Sequence, residues 1–211
     1  MKARAIGTIA IACMMIIAFS AGCFAGHSRG YTSGEKLTET LKVALHLMAH
    51  SGKQSCASPS ISTRGDLVRQ GTAGNDYDVF VILFDYGPGV TGLEYGLIWP
   101  AGWGSAATTH CADFAIGSIV NPGDGMSITW TLCQTSPEFM PAAWSWISAA
   151  TAGEIKLTWL AGSERLMYTD CDFTEFEADS VFFAGIDVEP FEGKWEATEP
   201  STWGGIKAMF R

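Results

Sequence analysis

Two groups of side chains have types and spacings that suit metal chemistry. His46 and His50 lie four apart, which puts them on one face of either a strand or a helix, within reach of one ion. A competent zinc site needs a third or fourth ligand, and no Glu follows His46, so the H-E-x-x-H arrangement is absent. The acidic run Asp170, Asp172, Glu175, Glu177 and Asp179 suits a hard cation better. In extended chain Asp170 and Asp172 share a face, and with Glu175 they make a candidate Ca²⁺ set of carboxylate oxygens. The run lacks the glycine at the sixth position of an EF-hand loop. Its other reading is a solvated strand edge whose charge discourages edge-to-edge pairing. No other cofactor is implied.

Eight tryptophans suit a second chemistry, the flat recognition of sugar rings. Trp99 with Trp103, and Trp144 with Trp146, are the candidate pairs; Trp144 and Trp146 point the same way if the segment is a strand. The competing reading is that these rings fill the core. Arg64-Gly65-Asp66 matches a cell-adhesion tripeptide, a pattern short enough to recur by chance. Catalytic signatures are missing: there is no G-x-S-x-G, no Walker loop and no dinucleotide fingerprint. The chain therefore leans away from an enzyme, and no catalytic residue is assigned.

Of six cysteines, Cys13 and Cys23 fall in or at the end of an N-terminal apolar run. Cys56, Cys111, Cys133 and Cys171 remain, an even number in an exported chain, which predicts two disulfides. Between Cys111 and Cys133 two apolar, β-branched arms (about Asp113 to Val120 and Met126 to Cys133) flank Asn121-Pro122-Gly123-Asp124-Gly125. Folding the chain back about Pro122 makes a hairpin with Cys111 opposite Cys133. That geometry favours Cys111–Cys133 and leaves Cys56–Cys171. With no C-x-x-C, a zinc ribbon or thioredoxin-like site is unsupported.

The elements that would position these residues are strands. Lys36 to His50 fits both a helical stripe (Leu37, Leu41, Leu45, Met48) and period two, and Lys42 to His50 is read as a strand because everything downstream is β-like. Tyr77 to Phe84 is apolar throughout its second half and suits a central strand covered on both faces. Leu93 to Trp99, the two hairpin arms, Trp144 to Ala149, Glu154 to Leu160, Arg165 to Asp170 and Ser180 to Val188 complete the set. Pro137 and Pro141 are read as breaks, and Ser51 to Asn75 as a long connection. About eight short strands with turn signals between them predict an all-β fold. Specifically, they predict an antiparallel β-sandwich, jelly-roll or immunoglobulin-like, over residues 42–188.

Lys2 and Arg4 precede 22 uncharged residues, Ala5 to Gly26. Three readings fit: a secretory signal peptide over residues 1–25 cleaved after Ala25, a lipoprotein signal acylated at Cys23, and an uncleaved anchor. All three export the remainder. Residues 26–41 read as a flexible leader and 189–200 as an acidic, proline-containing linker. Residues 201–211 read as a C-terminal tag in which Trp203, Ile206 and Phe210 lie along one side of a short helix, with Lys207 beside them. Net charge is −9, and there is no Lys or Arg between Arg69 and Lys156, so nucleic acid is not expected as a partner.

Glu94-Tyr95-Gly96 with Trp99-Pro100, the Asn121–Gly125 turn, and Thr202-Trp203-Gly204 with Ile206-Lys207 resemble a group of uncharacterised secreted β-sandwich proteins of environmental bacteria that carry a C-terminal T-W-G-x-I-K tail. The resemblance spans most of residues 40–211. It implies export, a β domain and a short C-terminal tag, and it supplies no catalytic residues. The combined expectation is a secreted or cell-surface structural or interaction module. Its implied partners are export or attachment machinery and another surface protein or a polysaccharide. A carbohydrate-binding module and a secreted hydrolase are the alternatives.

Overall fold

The computed structural model describes residues 41–190, without Pro88, Ala107 and residues 161–165. The signal peptide, almost all of the leader, most of the acidic linker and the tag lie outside the described residues. In chain order the strands are β1 (Lys42–Ala49), β2 (Gln70–Gly71), β3 (Asn75–Phe84), β4 (Val90–Ile98), β5 (Gly104–Ser105), β6 (Thr109–His110), β7 (Phe114–Gly117), β8 (Gly125–Gln134), β9 (Met140–Ala149), β10 (Gly153–Thr158), β11 (Met167–Thr169), β12 (Glu175–Glu177), β13 (Asp179–Phe182) and β14 (Ala184–Ile186). Among the described residues eight of these strands have four or more residues, which is the number the turn signals predict.

They form two sheets. The first runs β13-β1-β3-β9, with β5 and β6 both pairing along the far edge of β9. The second is centred on β4: β8 and then β7 lie on one side, and β10 and β11 share the other, continued by β14–β2 and by β12. Pairing is antiparallel except for β1–β13 and β2–β14. The sheets pack face to face as a β-sandwich. Val43, Leu45, Val79, Val81, Leu83 and Ile147 of one meet Leu93, Tyr95, Leu97, Met126, Ile128 and Leu157 of the other in a single apolar core.

Strand β3 is buried on both faces, as its unbroken apolar run predicts. Its odd-numbered residues from Val79 to Leu83 enter the inter-sheet core. Phe80, Ile82 and Phe84 point outward into a second cluster with Ala44, Leu67 and Phe139. Leu67 and Ile61 of the long connection supply part of that covering. The connection is pinned by charge as well. Asp85 accepts from Lys42 Nζ at 2.5 Å and pairs with Arg64, whose guanidinium sits 5.3 Å from the Phe84 ring centre. Partial burial opposes ionisation of Asp85, but these two cations outweigh it and hold the carboxyl below its ordinary range.

Two expectations are corrected. Pro141 does not break the chain: it lies inside β9, at a register shift opposite Ile82 where the ladder tolerates a missing N–H. The hairpin exists, but its first arm is shorter than read and its disulfide is not the predicted one. The bonds are Cys56–Cys111, with Cα atoms 5.6 Å apart, and Cys133–Cys171, at 5.2 Å. The reason is a change of sheet. Thr109 and His110 pair with β9, and Cys111 N–H donates to Ala142 O. Only from Phe114 does the chain pair with β8, in the other sheet. Cys111 thus belongs to the edge of the first sheet, beside the long connection that carries Cys56. Cys133 lies beyond the register shift between β4 and β8, close to the end of β11 and hence to Cys171.

Chain-entropy estimates for loops of 55 and 38 residues put the stabilisation from each bond at about 4 kcal/mol. Non-reducing proteolysis with mass spectrometry should yield linked peptides containing Cys56 with Cys111 and Cys133 with Cys171. Recovery of a Cys111–Cys133 peptide would contradict this sheet-switching path.

Candidate interaction surface

The two sheets treat their outer faces differently. On the first sheet the outward side chains of β1, β3 and β9 are roofed by the connection over residues 51–69 and by the second apolar cluster. On the second sheet register alignment places two cross-strand rows on the outer face. One row is Ile116, Ser127, Glu94, Met167 and Glu177; the other is Phe114, Thr129, Gly92, Thr169 and Glu175. Their neighbours Ile128 and Leu93 are buried in the core, which fixes these rows as outward.

This face, which no other segment covers among the described residues, is not an ordinary polar one. Phe114 is 63% exposed and Ile116 79% exposed. Gly92, between Thr129 and Thr169, leaves a shallow depression of about 70 Å³ lined by Glu94, Ser127, Thr129, Met167, Thr169 and Glu175. A Cβ at Gly92 would approach Thr169 Oγ1 to 3.3 Å and begin to fill it. None of β4, β7, β8, β11 and β12 contains Lys or Arg, while Glu94, Glu175 and Glu177 all project from this face. Lys156, on the adjoining β10, is engaged by Glu154 of its own strand at 2.9 Å. The surface is therefore an apolar ridge on β7 beside an acidic, slightly hollowed floor.

The local sequence explains the ridge. Asp124 accepts hydrogen bonds from Val120 N–H, Asn121 N–H and Asn121 Nδ2, closing the turn between β7 and β8. Those backbone donors hold its carboxyl below the ordinary range. Asp113 does the same for the open end, accepting from Thr131 N–H and Oγ1, again with its pKa lowered by those bonds. The register so fixed turns Ala115 inward, against the core, and Phe114 and Ile116 outward. The large side chains lie out and the small one in, the reverse of what burial alone would choose.

The residues singled out from sequence fall elsewhere. Trp99 and Trp103 are 3% and 7% exposed, locked in the inter-sheet core, so they form no platform for sugar. The Trp103 indole N–H donates to Thr151 Oγ1 at 3.0 Å. Trp144 and Trp146 do share the outer face of β9 but are half-buried. Trp144 lies against Phe80, with ring centres 6.1 Å apart, and Trp146 lies against His50 at 5.9 Å. His46 and His50 do not converge: His46 Nδ1 accepts from Val68 N–H at 3.0 Å, while His50 Nδ1 meets the buried Asp78 Oδ1 at 2.8 Å. Asp170 is a turn residue whose Oδ1 accepts from Asp172 N–H and Thr174 N–H, tying off the β11–β12 hairpin. Asp172 is exposed in that turn and Glu175 stands on the outer face. Among the described residues no group of three His, Cys, Asp or Glu side chains is placed to hold a metal. Arg64-Gly65-Asp66 is a one-turn 3₁₀ helix, with Arg64 on Asp85 and Asp66 accepting from Ser62 and Thr63 N–H. Trp203, Ile206, Lys207 and Phe210 lie outside the described residues.

No protein-family model matches the chain, and neither does any curated protein. Among solved structures it is similar to a cohesin module from a family 33 glycoside hydrolase of Clostridium perfringens, at 10% identity and a TM-score of 0.45, covering 74% of this chain and 97% of that one. It is similar to CaCohA2 from Clostridium acetobutylicum at 15% identity and 0.43, covering 70% and 90%. A non-cellulosomal cohesin from Archaeoglobus fulgidus matches at 9% and 0.38, covering 68% and 89%. The assignment as a sandwich rests on the two sheets of this chain itself.

Burial lowers the pKa of His46 from its ordinary 6.5. The unfolded chain therefore takes up this proton first as pH falls. The stabilisation is complete above 6.5 and declines below it, toward the folded pKa. Melting temperature should fall between about pH 7 and pH 5, and His46→Asn, whose Oδ1 can accept the Val68 N–H, should flatten that slope. An unchanged slope in the variant would remove His46 as its cause.

Proposed function

We propose that this chain is an exported, non-enzymatic interaction module that binds a protein partner on the bare outer face of its second sheet. The observation that carries this reading is the outward pair Phe114 and Ile116 on an edge strand, beside a floor with three glutamates and no Lys or Arg. Apolar side chains exposed together on a sheet cost solvation in the free protein and gain it back only in a complex. The absence of cations across five strands selects for a partner that brings its own, through complementary charge. Two disulfides support an oxidising compartment outside the cytoplasm, in keeping with the N-terminal export signal and with release or acylation at Cys23. Residues 201–211, with Trp203, Ile206, Lys207 and Phe210, serve as the docking tag.

A photo-crosslinking residue at position 116 should capture a discrete partner from the exported material of the native host, whereas the same residue at position 53, on the covering connection, should not. Phe114→Asp should abolish capture while shifting the melting temperature by no more than about 3 °C, the scale of a surface substitution. Equal capture at positions 116 and 53, or none at 116 in folded, exported protein, would overturn the proposal.

A further inference from the structure

The bare face has a candidate occupant within the same chain. We infer that residues 201–211 dock in cis on the outer face of the second sheet, so that the tag caps this surface until an external partner displaces it. This rests on the reading of that face as the binding surface and names its first ligand.

Composition is the first argument. The face offers Phe114 and Ile116 beside Glu94, Glu175 and Glu177, with no Lys or Arg on the five strands that carry these residues and their row neighbours. Residues 201–211 are the converse: Trp203, Ile206, Met209 and Phe210 with Lys207 and Arg211, and no acid. Written as a helix, the segment puts Trp203, Ile206 and Phe210 along one side with the cations adjacent. Such a strip can lay its rings on the β7 ridge and its cations over the glutamate rows. The linker before it carries Glu192, Glu196 and Glu199 against the single cation Lys194. The same acidic floor repels it, so docking falls on the tag rather than the linker.

Reach is the second argument. Gln70 Nε2 donates to Glu189 Oε2 at 2.9 Å, which fixes the chain beside β2 at the edge of this same sheet. From β2 to β7, by way of β14, β10, β4 and β8, is five strand spacings, about 24 Å. Residues 191–200 can span up to about 33 Å when extended. A short tether of this kind holds its own tag at an effective concentration on the order of millimolar, which favours capture within the chain over capture by a second copy.

Carbodiimide treatment of the full-length exported chain activates carboxylates. Lys207 Nζ displaces the carbodiimide-derived urea from any activated carboxyl it touches and forms an amide. The expected product is Lys207 linked to Glu94, Glu175 or Glu177 in a species of monomer mass, with a yield unaffected by dilution and lost in Ile116→Asp. Lys207 linked only to linker acids, or to the face only in dimers, would overturn cis docking. In parallel, a labelled 201–211 peptide should bind the chain lacking residues 201–211 at least about tenfold more tightly than the full-length chain, and added salt should weaken it. Equal binding to both would count against the cap. A partner captured at position 116 without the Lys207 product defeats this inference alone. The Lys207 product without a captured partner defeats instead the reading of the face as an external binding site.

Discussion

The structure depends on the double burial of β3. A strand with Val79, Val81 and Leu83 on one side and Phe80, Ile82 and Phe84 on the other cannot be satisfied by one packing partner. The second sheet covers the first side. The connection from residue 51 to 69 must cover the other, and it is held there by Leu67 and Ile61, by the Arg64–Asp85–Lys42 charge group and by the Cys56–Cys111 bond. This covering takes up the one long segment between strands among the described residues. Nothing comparable among them covers the outer face of the second sheet.

Much of this is legible in the sequence, and the limits have physical causes. The apolar run of β3 announces a strand without a solvent face, whereas Lys42 to His50 fits a helical stripe as well as period two and is marked as a strand only by the β-like chain downstream. The Asn121–Gly125 cluster marks the turn between β7 and β8. Sequence does not show that the chain crosses between sheets between Cys111 and Phe114. Both segments are extended, and only the partner of each decides which sheet owns it. The expected disulfide pairing fails at that point. Pro141 misleads for a related reason: its missing N–H costs little at a register shift, and the shift is set by the neighbouring strand.

The site is the least legible part. Tryptophans draw attention because of their number, yet Trp99 and Trp103 are core residues with 3% and 7% of their surface exposed. Phe114 and Ile116 draw none, because apolar residues in a β arm are expected to face inward. Their outward orientation follows from a single choice of register, fixed by the hydrogen bonds of Asp113 and Asp124 at the two ends of the hairpin. A shift by a single residue would turn them toward the core and Ala115 outward instead. Two exposed carboxylates thus determine the chemistry of the face without lying at its centre.

The Cys133–Cys171 bond ties the end of β8 to the turn after β11, on either side of β4. Gly89 lies beneath it, where a Cβ would collide with both Cys171 Sγ and Cys133 Sγ. The two strands that flank β4 are thereby stapled across it at one end, which limits how far they can spread. On the proposed reading, a guest on this face would meet strands already tied together at one end. The conformational entropy lost on such an association would then fall more on the guest than on these strands, which would favour discrimination by fit to shape over mutual adjustment.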